Sequence, residues 1–286
     1  MDVSKIKLTE CPRDAMQGIH DFIPTELKAA YINLLLQVGF DTVDFGSFVS
    51  PKAIPQMQDT AEVLKRLDLS TTKSKLLAII ANYRGAEDAV QYGEISYLGY
   101  PFSISGTFQL RNANTTLQAA FDTVKRITEL CNHKNKELLV YLSMGFGNPY
   151  GDEWNVGIVQ QWTEKLIAEG IKIIALSDTV GVATPQQISD IYPALCKSFP
   201  NTEFGLHLHA TPNGWRNKIE ASYKAGCKRF DSAIKGYGGC PMAADELTGN
   251  IATENLISYL QSQNENLGLN MDKFREAMEY STRVFI

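Results

Sequence analysis

The sequence predicts the α/β class, as a (β/α)8 TIM barrel with a cysteine lid loop and extra C-terminal helices. Short apolar strands alternate with longer stretches of helical apolar spacing from one end to the other. No Pro/Gly/Ser-rich linker interrupts them. The length of 286 residues suits one such barrel, which takes about 250. Residues 1–286 are therefore expected to form a single domain, with residues 250–286 as a C-terminal helical appendix.

The elements follow in order. Residues 6–8 alternate as a strand and stop at Thr9-Glu10-Cys11-Pro12. Residues 24–38 carry Leu27, Ala30, Ile32, Leu34 and Leu35 at helical spacing, with Gly39 where a C-cap falls. Strands are expected at 42–45, 76–81, 97–105, 137–143, 172–176, 204–209 and 229–232. Helices are expected at 55–67, 85–93, 114–132, 156–169, 185–199 and 215–225. Asn114-Thr115-Thr116 offers caps for the long helix, and Pro185 suits a first helical turn. The charged run His133-Lys134-Asn135-Lys136 reads as a solvated turn.

Composition removes several function classes. Apolar residues make up 44% and charged residues 21%, as in ordinary globular chains. Lys and Arg number 27 against 32 Asp and Glu, a net charge of -5. No basic run tracks phosphates, so no nucleic-acid partner is expected. The apolar run 76–81 is far short of the roughly 18 residues of a membrane span. No secretory leader is read at the start of the chain, and no membrane association is expected. Five separated cysteines without a CxxC pair suggest a reducing, cytoplasmic setting.

In such a barrel the chemistry gathers at the C-terminal ends of the strands. His207-Leu208-His209 is the sharpest local signal. Strand period is 2, so both imidazoles share a face and can hold one cation side by side. The competing reading is two histidines satisfied in the core. Asp14 and Asn250 are placed to add a carboxylate and an amide carbonyl. That His₂/Asp/Asn set suits octahedral Mg²⁺ or Mn²⁺ better than tetrahedral zinc. Cys240 follows Gly236, Gly238 and Gly239, which let a loop fold over a site. A thiol there can serve as acid, base or nucleophile, against a default of buried packing. Arg13-Asp14 reads by default as a surface ion pair, but its place after the first strand, next to Cys11-Pro12, raises it to a candidate at the barrel mouth. No P-loop, GxGxxG, GxSxG or HExxH pattern occurs.

Six segments then recur in family order across nearly the whole chain: Pro12-Arg13-Asp14-Ala15-Met16-Gln17; Phe48-Val49-Ser50-Pro51-Lys52 through Pro55-Gln56-Met57; Asp178-Thr179-Val180-Gly181-Val182; His207-Leu208-His209; Gly236-Tyr237-Gly238-Gly239-Cys240-Pro241; and Thr248-Gly249-Asn250-Ile251-Ala252-Thr253-Glu254. Together they resemble the 3-hydroxy-3-methylglutaryl-CoA lyase family, within the metal-dependent barrel lyases and Claisen enzymes.

The resemblance implies roles at matching positions. Asp14, His207, His209 and Asn250 match the metal ligands, and Arg13 matches the arginine facing the thioester carbonyl. Cys240 matches the catalytic lid cysteine, Glu254 a catalytic-site acid, and Asp178 an inner-barrel polar residue. Asp44 stands where the family has Glu. The implied reaction cleaves an acyl-CoA substrate to acetyl-CoA and acetoacetate, as in leucine degradation and ketone body formation, by a homodimer. The chain departs from the family at Ala210 (Asp in the family), Gly106 (acidic), Lys235 and Tyr237 (small or aliphatic). Its spacer between Cys240 and Asn250 is one residue longer and acidic. Two other readings stay open: a related barrel aldolase or Claisen enzyme using a different acyl-CoA or 2-oxo acid, and a catalytically silent barrel acting as a binding protein.

Overall fold

A computed structural model describes residues 5–239 and 248–285. Among these, eight parallel strands close a barrel. They are β1 (Lys7–Glu10), β2 (Thr42–Phe48), β3 (Lys75–Ile80), β4 (Ile95–Ser103), β5 (Glu137–Ser143), β6 (Ile173–Ser177), β7 (Glu203–His207) and β9 (Arg229–Ser232). Two short strands, β8 (His209–Ala210) and β10 (Gly249–Asn250), form a separate antiparallel ribbon. The barrel closes where β9 meets β1, with Thr9 opposite Asp231 and Glu10 opposite Ser232. Strands buried on both faces need no polar alternation, which is why β3 reads as an unbroken apolar run.

The helices are α1 (Pro12–Gln17), α2 (Thr25–Val38), α3 (Thr60–Leu64), α4 (Tyr83–Ala89), α5 (Gly106–Ala113), α6 (Leu117–Lys134), α7 (Val156–Ala168), α8 (Pro185–Ser198), α9 (Trp215–Lys224), α10 (Thr253–Ser262) and α11 (Met271–Val284). Gly39 ends α2 in the left-handed conformation, as its position predicted. Thr184 and Gln187 close a capping box on α8. Beyond the ribbon, α10 packs against α9, and α11 lies along α2.

Inside the barrel Leu77, Ile79, Tyr97, Leu139, Tyr141, Ile173 and Ala175 form a packed layer. Arg229 and Glu203 join at 2.9 Å below it, beside the Lys7–Glu203 pair at 2.5 Å. A 430 Å³ cavity opens at this N-terminal end, lined in part by Lys7, Glu203 and Arg229. It is the end opposite to where barrel chemistry gathers.

Three elements differ from the sequence reading. The helix expected at 55–67 is a 3-10 turn, Pro55–Met57, followed by the short α3. The backbone leaves helical geometry at Asp59 (φ -101°, ψ 13°), while the Gln56 carbonyl turns to Lys28 Nζ and the Met57 carbonyl to Thr60 Oγ1 at 2.9 Å. The helix expected from 114 starts at Leu117 under a Thr116 cap. Asn114 instead ends α5, at φ 50°, a helix not anticipated because it opens on Gly106 and is largely polar. The strand expected at 204–209 breaks at Leu208, and its last part leaves the barrel as β8.

Candidate active site

That break builds the site. β8 pairs with β10 so that His209 lies directly opposite Asn250. His207 remains on the barrel, opposite Asp231. The two imidazoles stand side by side with ring centroids 5.1 Å apart, as the spacing predicted.

Helix α1 begins immediately after β1, with Cys11 at its N-cap and Pro12 in its first turn. This turn swings Arg13 and Asp14 over the barrel mouth. Asp14, His207 and His209 each bring a ligand atom within 4.8 Å of the others. Asn250 Nδ2 donates to Asp14 Oδ2 at 2.6 Å and to Tyr237 O at 2.9 Å. The Tyr237 carbonyl can only accept, which places the amide nitrogen there and turns Oδ1 elsewhere. Four distant segments thus meet: the β1–α1 turn, β7, β8 and β10.

The ring protons are placed by their neighbours. His209 Nδ1 lies 3.0 Å from Thr179 O, an acceptor only, so Nδ1 carries the proton. Its Nε2 is buried with no hydrogen-bond partner among the described residues. His207 Nδ1 lies 3.2 Å from Asp231 Oδ2, which leaves its Nε2 as the basic nitrogen. A carboxylate or carbonyl fixing the far nitrogen is how proteins orient metal-binding imidazoles. An orphaned buried nitrogen beside a carboxylate and a second imidazole is an arrangement that a divalent cation would satisfy.

The ion pairs are buried, so Arg13–Asp14 is not the surface pair expected by default. Arg13 Nε and Nη2 both reach the Asp44 carboxylate, the shortest contact being 2.6 Å. Arg13 Nη1 donates to Asp14 Oδ1 at 3.0 Å and to Gln17 at 2.8 Å. Burial alone would raise the Asp14 pKa, but Arg13, His207 and His209 bring it down to about 2. Burial outweighs Arg13 at Asp44 and pushes that carboxyl up to about 6. Burial, then the neighbouring His207, lowers His209 to about 4, which keeps it neutral. Burial favours a neutral His207 as well, but the bond to Asp231 and its charge outweigh this and raise the pKa.

Two further residues singled out from the sequence lie in supporting positions. Asp178 is fully buried and occupied: Oδ2 accepts from Lys218 Nζ at 2.6 Å and Oδ1 from Ala183 N at 2.9 Å. The same Lys218 ammonium donates to His209 O at 2.7 Å and to Gly181 O at 2.9 Å. Glu254 Oε2 accepts from Lys235 N at 3.0 Å. Lys235 is held at φ 59°, in the left-handed region. Cys240 lies outside the described residues. Near Gly106, where the family carries an acid, the Asp152 carboxylate receives Thr107 N at 2.9 Å and Ser105 Oγ at 2.5 Å.

Sequence reasoning missed Asp231 and Lys218. Asp231 was legible in principle, since period 2 along β9 turns Arg229 and Asp231 to the same side. Lys218 had only the weaker signal of a lysine among the buried positions Ile219, Ala221 and Ser222 of α9.

A closed parallel barrel with Asp14, His207 and His209 converging at its C-terminal mouth defines a barrel protein with a candidate divalent-metal centre. A family model described as HMGL-like matches residues 5–280. The mitochondrial hydroxymethylglutaryl-CoA lyase of Mus musculus is 30% identical over 279 residues, which are 96% of this chain and 84% of that protein. The cytoplasmic 3-hydroxy-3-methylglutaryl-CoA lyase of Homo sapiens is 31% identical, over 96% of this chain and 74% of that one. A solved HMG-CoA lyase from Acinetobacter baumannii, in complex with coenzyme A and 3-methylmalate, superposes with a TM-score of 0.91 at 29% identity, covering 100% of this chain and 92% of that one. The chain belongs to the HMGL-like family and is hydroxymethylglutaryl-CoA lyase-like in sequence and fold. Its named relatives are carbon–carbon lyases, as the motif resemblance implied. Among the described residues no helix is long and apolar enough to cross a membrane.

Proposed function

We propose that this chain is a divalent-metal-dependent lyase that cleaves 3-hydroxy-3-methylglutaryl-CoA, or a close 3-hydroxyacyl-CoA, to acetyl-CoA and acetoacetate or its homologue. The observation that carries the reading is the Asp14–His207–His209 group with its orphaned His209 Nε2, in which Asp14 Oδ1 also accepts from Arg13 Nη1 at 3.0 Å. Asp14, His207, His209 and Asn250 would hold Mg²⁺ or Mn²⁺, which supplies the Lewis acidity that eases ionisation of a tertiary alcohol.

The protein groups divide the remaining work. Asp14 stays ionised at any physiological pH, and His209 stays neutral, so both are ready as ligands. Thr179 and Asp231 hold the two rings against rotation. Breaking the C2–C3 bond leaves negative charge on the thioester oxygen. Arg13 stands beside Asp14 with a buried positive charge, and a fixed donor of this kind stabilises such an oxyanion far more than water does. Asp44 holds that guanidinium through three contacts, so it need not reorganise during the reaction. One proton leaves the tertiary hydroxyl and one is gained by the acetyl carbon, so the cleavage is proton-neutral, and the resemblance assigns the second transfer to Cys240. Glu254 supports the loop leading there by fixing the Lys235 amide. Asp178 acts through Lys218 on the His209 backbone.

Asp44 is one methylene shorter than the family's Glu, and Ala210 lies in the ribbon opposite Gly249. These differences favour an acyl group that need not be identical to the relatives'. The experiment is a substrate profile: 3-hydroxy-3-methylglutaryl-CoA should be consumed faster than shorter or branched homologues, and only with a divalent cation. Consumption of a 2-oxo acid instead would move the chain to the aldolase reading. The four described free cysteines, Cys11, Cys131, Cys196 and Cys227, agree with a reducing setting.

A further inference from the structure

Cys11, His207 and Asp231 also bring ligand atoms within 4.8 Å of one another. Backbone register sets this grouping. His207 on β7 lies opposite Asp231 on β9. On the other side of β9, Glu10 lies opposite Ser232, and the next amide, Cys11 N, donates to Ser232 O at 2.9 Å. The Cys11 thiol makes only a weak contact, 3.8 Å to Thr9 O. Neither it nor Asp231 has a place in the proposed reaction beyond the Asp231 bond to His207.

We propose that Cys11, His207 and Asp231 form a second metal site, selective for a thiophilic divalent cation such as Zn²⁺. Its filling excludes Mg²⁺ or Mn²⁺ from the neighbouring Asp14–His207–His209 group. Thiolate, imidazole and carboxylate are zinc ligands, whereas Mg²⁺ takes oxygen and avoids sulfur. A thiolate and a carboxylate balance the two charges of the ion in a buried site. Binding releases the thiol proton to solvent. Exclusion follows from the shared ring. A cation toward Asp231 takes Nδ1, the imidazole proton then resides on Nε2, and a protonated Nε2 cannot serve the second group. The site stands on its three side chains and does not depend on which thioester is cleaved.

The test uses the full-length chain carrying Cys196→Ser and Cys240→Ser, cleared of metal and titrated with Co²⁺ as a spectroscopic probe. A thiolate-to-cobalt charge-transfer band should rise to one equivalent, and adding Cys11→Ser should abolish it. Zinc should weaken Mn²⁺ binding about tenfold more in the parent than in the Cys11→Ser protein, the scale of losing a ring-orienting partner. If Cys11→Ser does not fold, zinc X-ray absorption on the parent decides: a sulfur at about 2.3 Å supports the site, and a shell of nitrogen and oxygen alone overturns it. No charge-transfer band in the parent, or the same band after Cys11→Ser, also overturns it.

Discussion

The Asn250 amide nitrogen stands 2.6 Å from Asp14 Oδ2, although 236 positions separate the two residues. The β8–β10 ribbon creates the contact by setting Asn250 opposite His209. Asn250 is thereby tied through its side chain to the carboxylate and through its strand to the backbone of His209. Asn250→Ala removes a proposed amide-oxygen ligand together with the hydrogen bond to Asp14, so Mn²⁺ binding should weaken by at least about 10–100-fold, the scale of losing the hydrogen-bond partner alone. His207→Ala/His209→Ala should abolish it while the far-ultraviolet circular dichroism stays that of the parent. Calorimetric Mn²⁺ titration reads both, and full binding by the double variant refutes the assignment.

Arg13 is the second test. Arg13→Met removes the proposed oxyanion donor and should lower turnover by about 10²–10³. It also leaves Asp44 buried without its partner. Asp44 already holds its proton up to about pH 6, so the stability cost should be small at pH 5 and larger at pH 8. Arg13→Met/Asp44→Asn should recover the stability and none of the turnover. Recovery of turnover in the double variant would mark Arg13 as structural.

Lys218 and Asp178 form a buried pair in which the ammonium also holds the His209 carbonyl. Lys218→Met leaves Asp178 as an uncompensated buried charge, a loss of about 3–5 kcal/mol. Lys218→Met/Asp178→Asn should be more stable than Lys218→Met alone. Both should bind Mn²⁺ more weakly, because His209 loses its backbone anchor. Urea melts with metal titrations on the same samples test this, and additive stability losses would contradict it.

Much of this site was legible in the sequence, for a physical reason. His207 and His209 are two residues apart, and strand geometry turns period 2 into a shared face. Arg13 and Asp14 follow a strand end directly, so the barrel rule places them at the mouth. The rest depends on long-range partners that no local pattern records. Leu208 breaks the strand because His209 finds a ribbon partner 41 positions later. The 55–67 helix is interrupted at Asp59, where the chain leaves helical geometry as the Gln56 carbonyl turns to Lys28. Asp178 read as a site residue from its motif, yet its carboxylate is spent on Lys218, a residue 40 positions away.

Glu10 supplies a pH prediction. It is fully buried, accepts from Ile234 N at 2.8 Å and lies 2.6 Å from Thr253 Oγ1. Burial outweighs both contacts and pushes its pKa up to about 8 from 4.5. A carboxyl raised on folding stabilises fully below its unfolded pKa and loses that contribution as pH rises through its folded one. Stability should therefore decline between about pH 4.5 and 8, by up to about 5 kcal/mol. Glu10→Gln imitates the neutral acid and should remove this component. Melting at pH 5, 7 and 9 should show the variant gaining on the parent as pH rises; a constant gap contradicts the assignment.

The most direct measurement is a product assay on the full-length chain with 3-hydroxy-3-methylglutaryl-CoA. Acetyl-CoA and acetoacetate should form in equal amounts with Mg²⁺ or Mn²⁺ present. Chelator should abolish both, and returning the cation should restore them. Cleavage undiminished by chelator, or no cleavage of any 3-hydroxyacyl-CoA with the cation bound, would contradict the assignment of Asp14, His207, His209 and Asn250 as the working centre of a lyase.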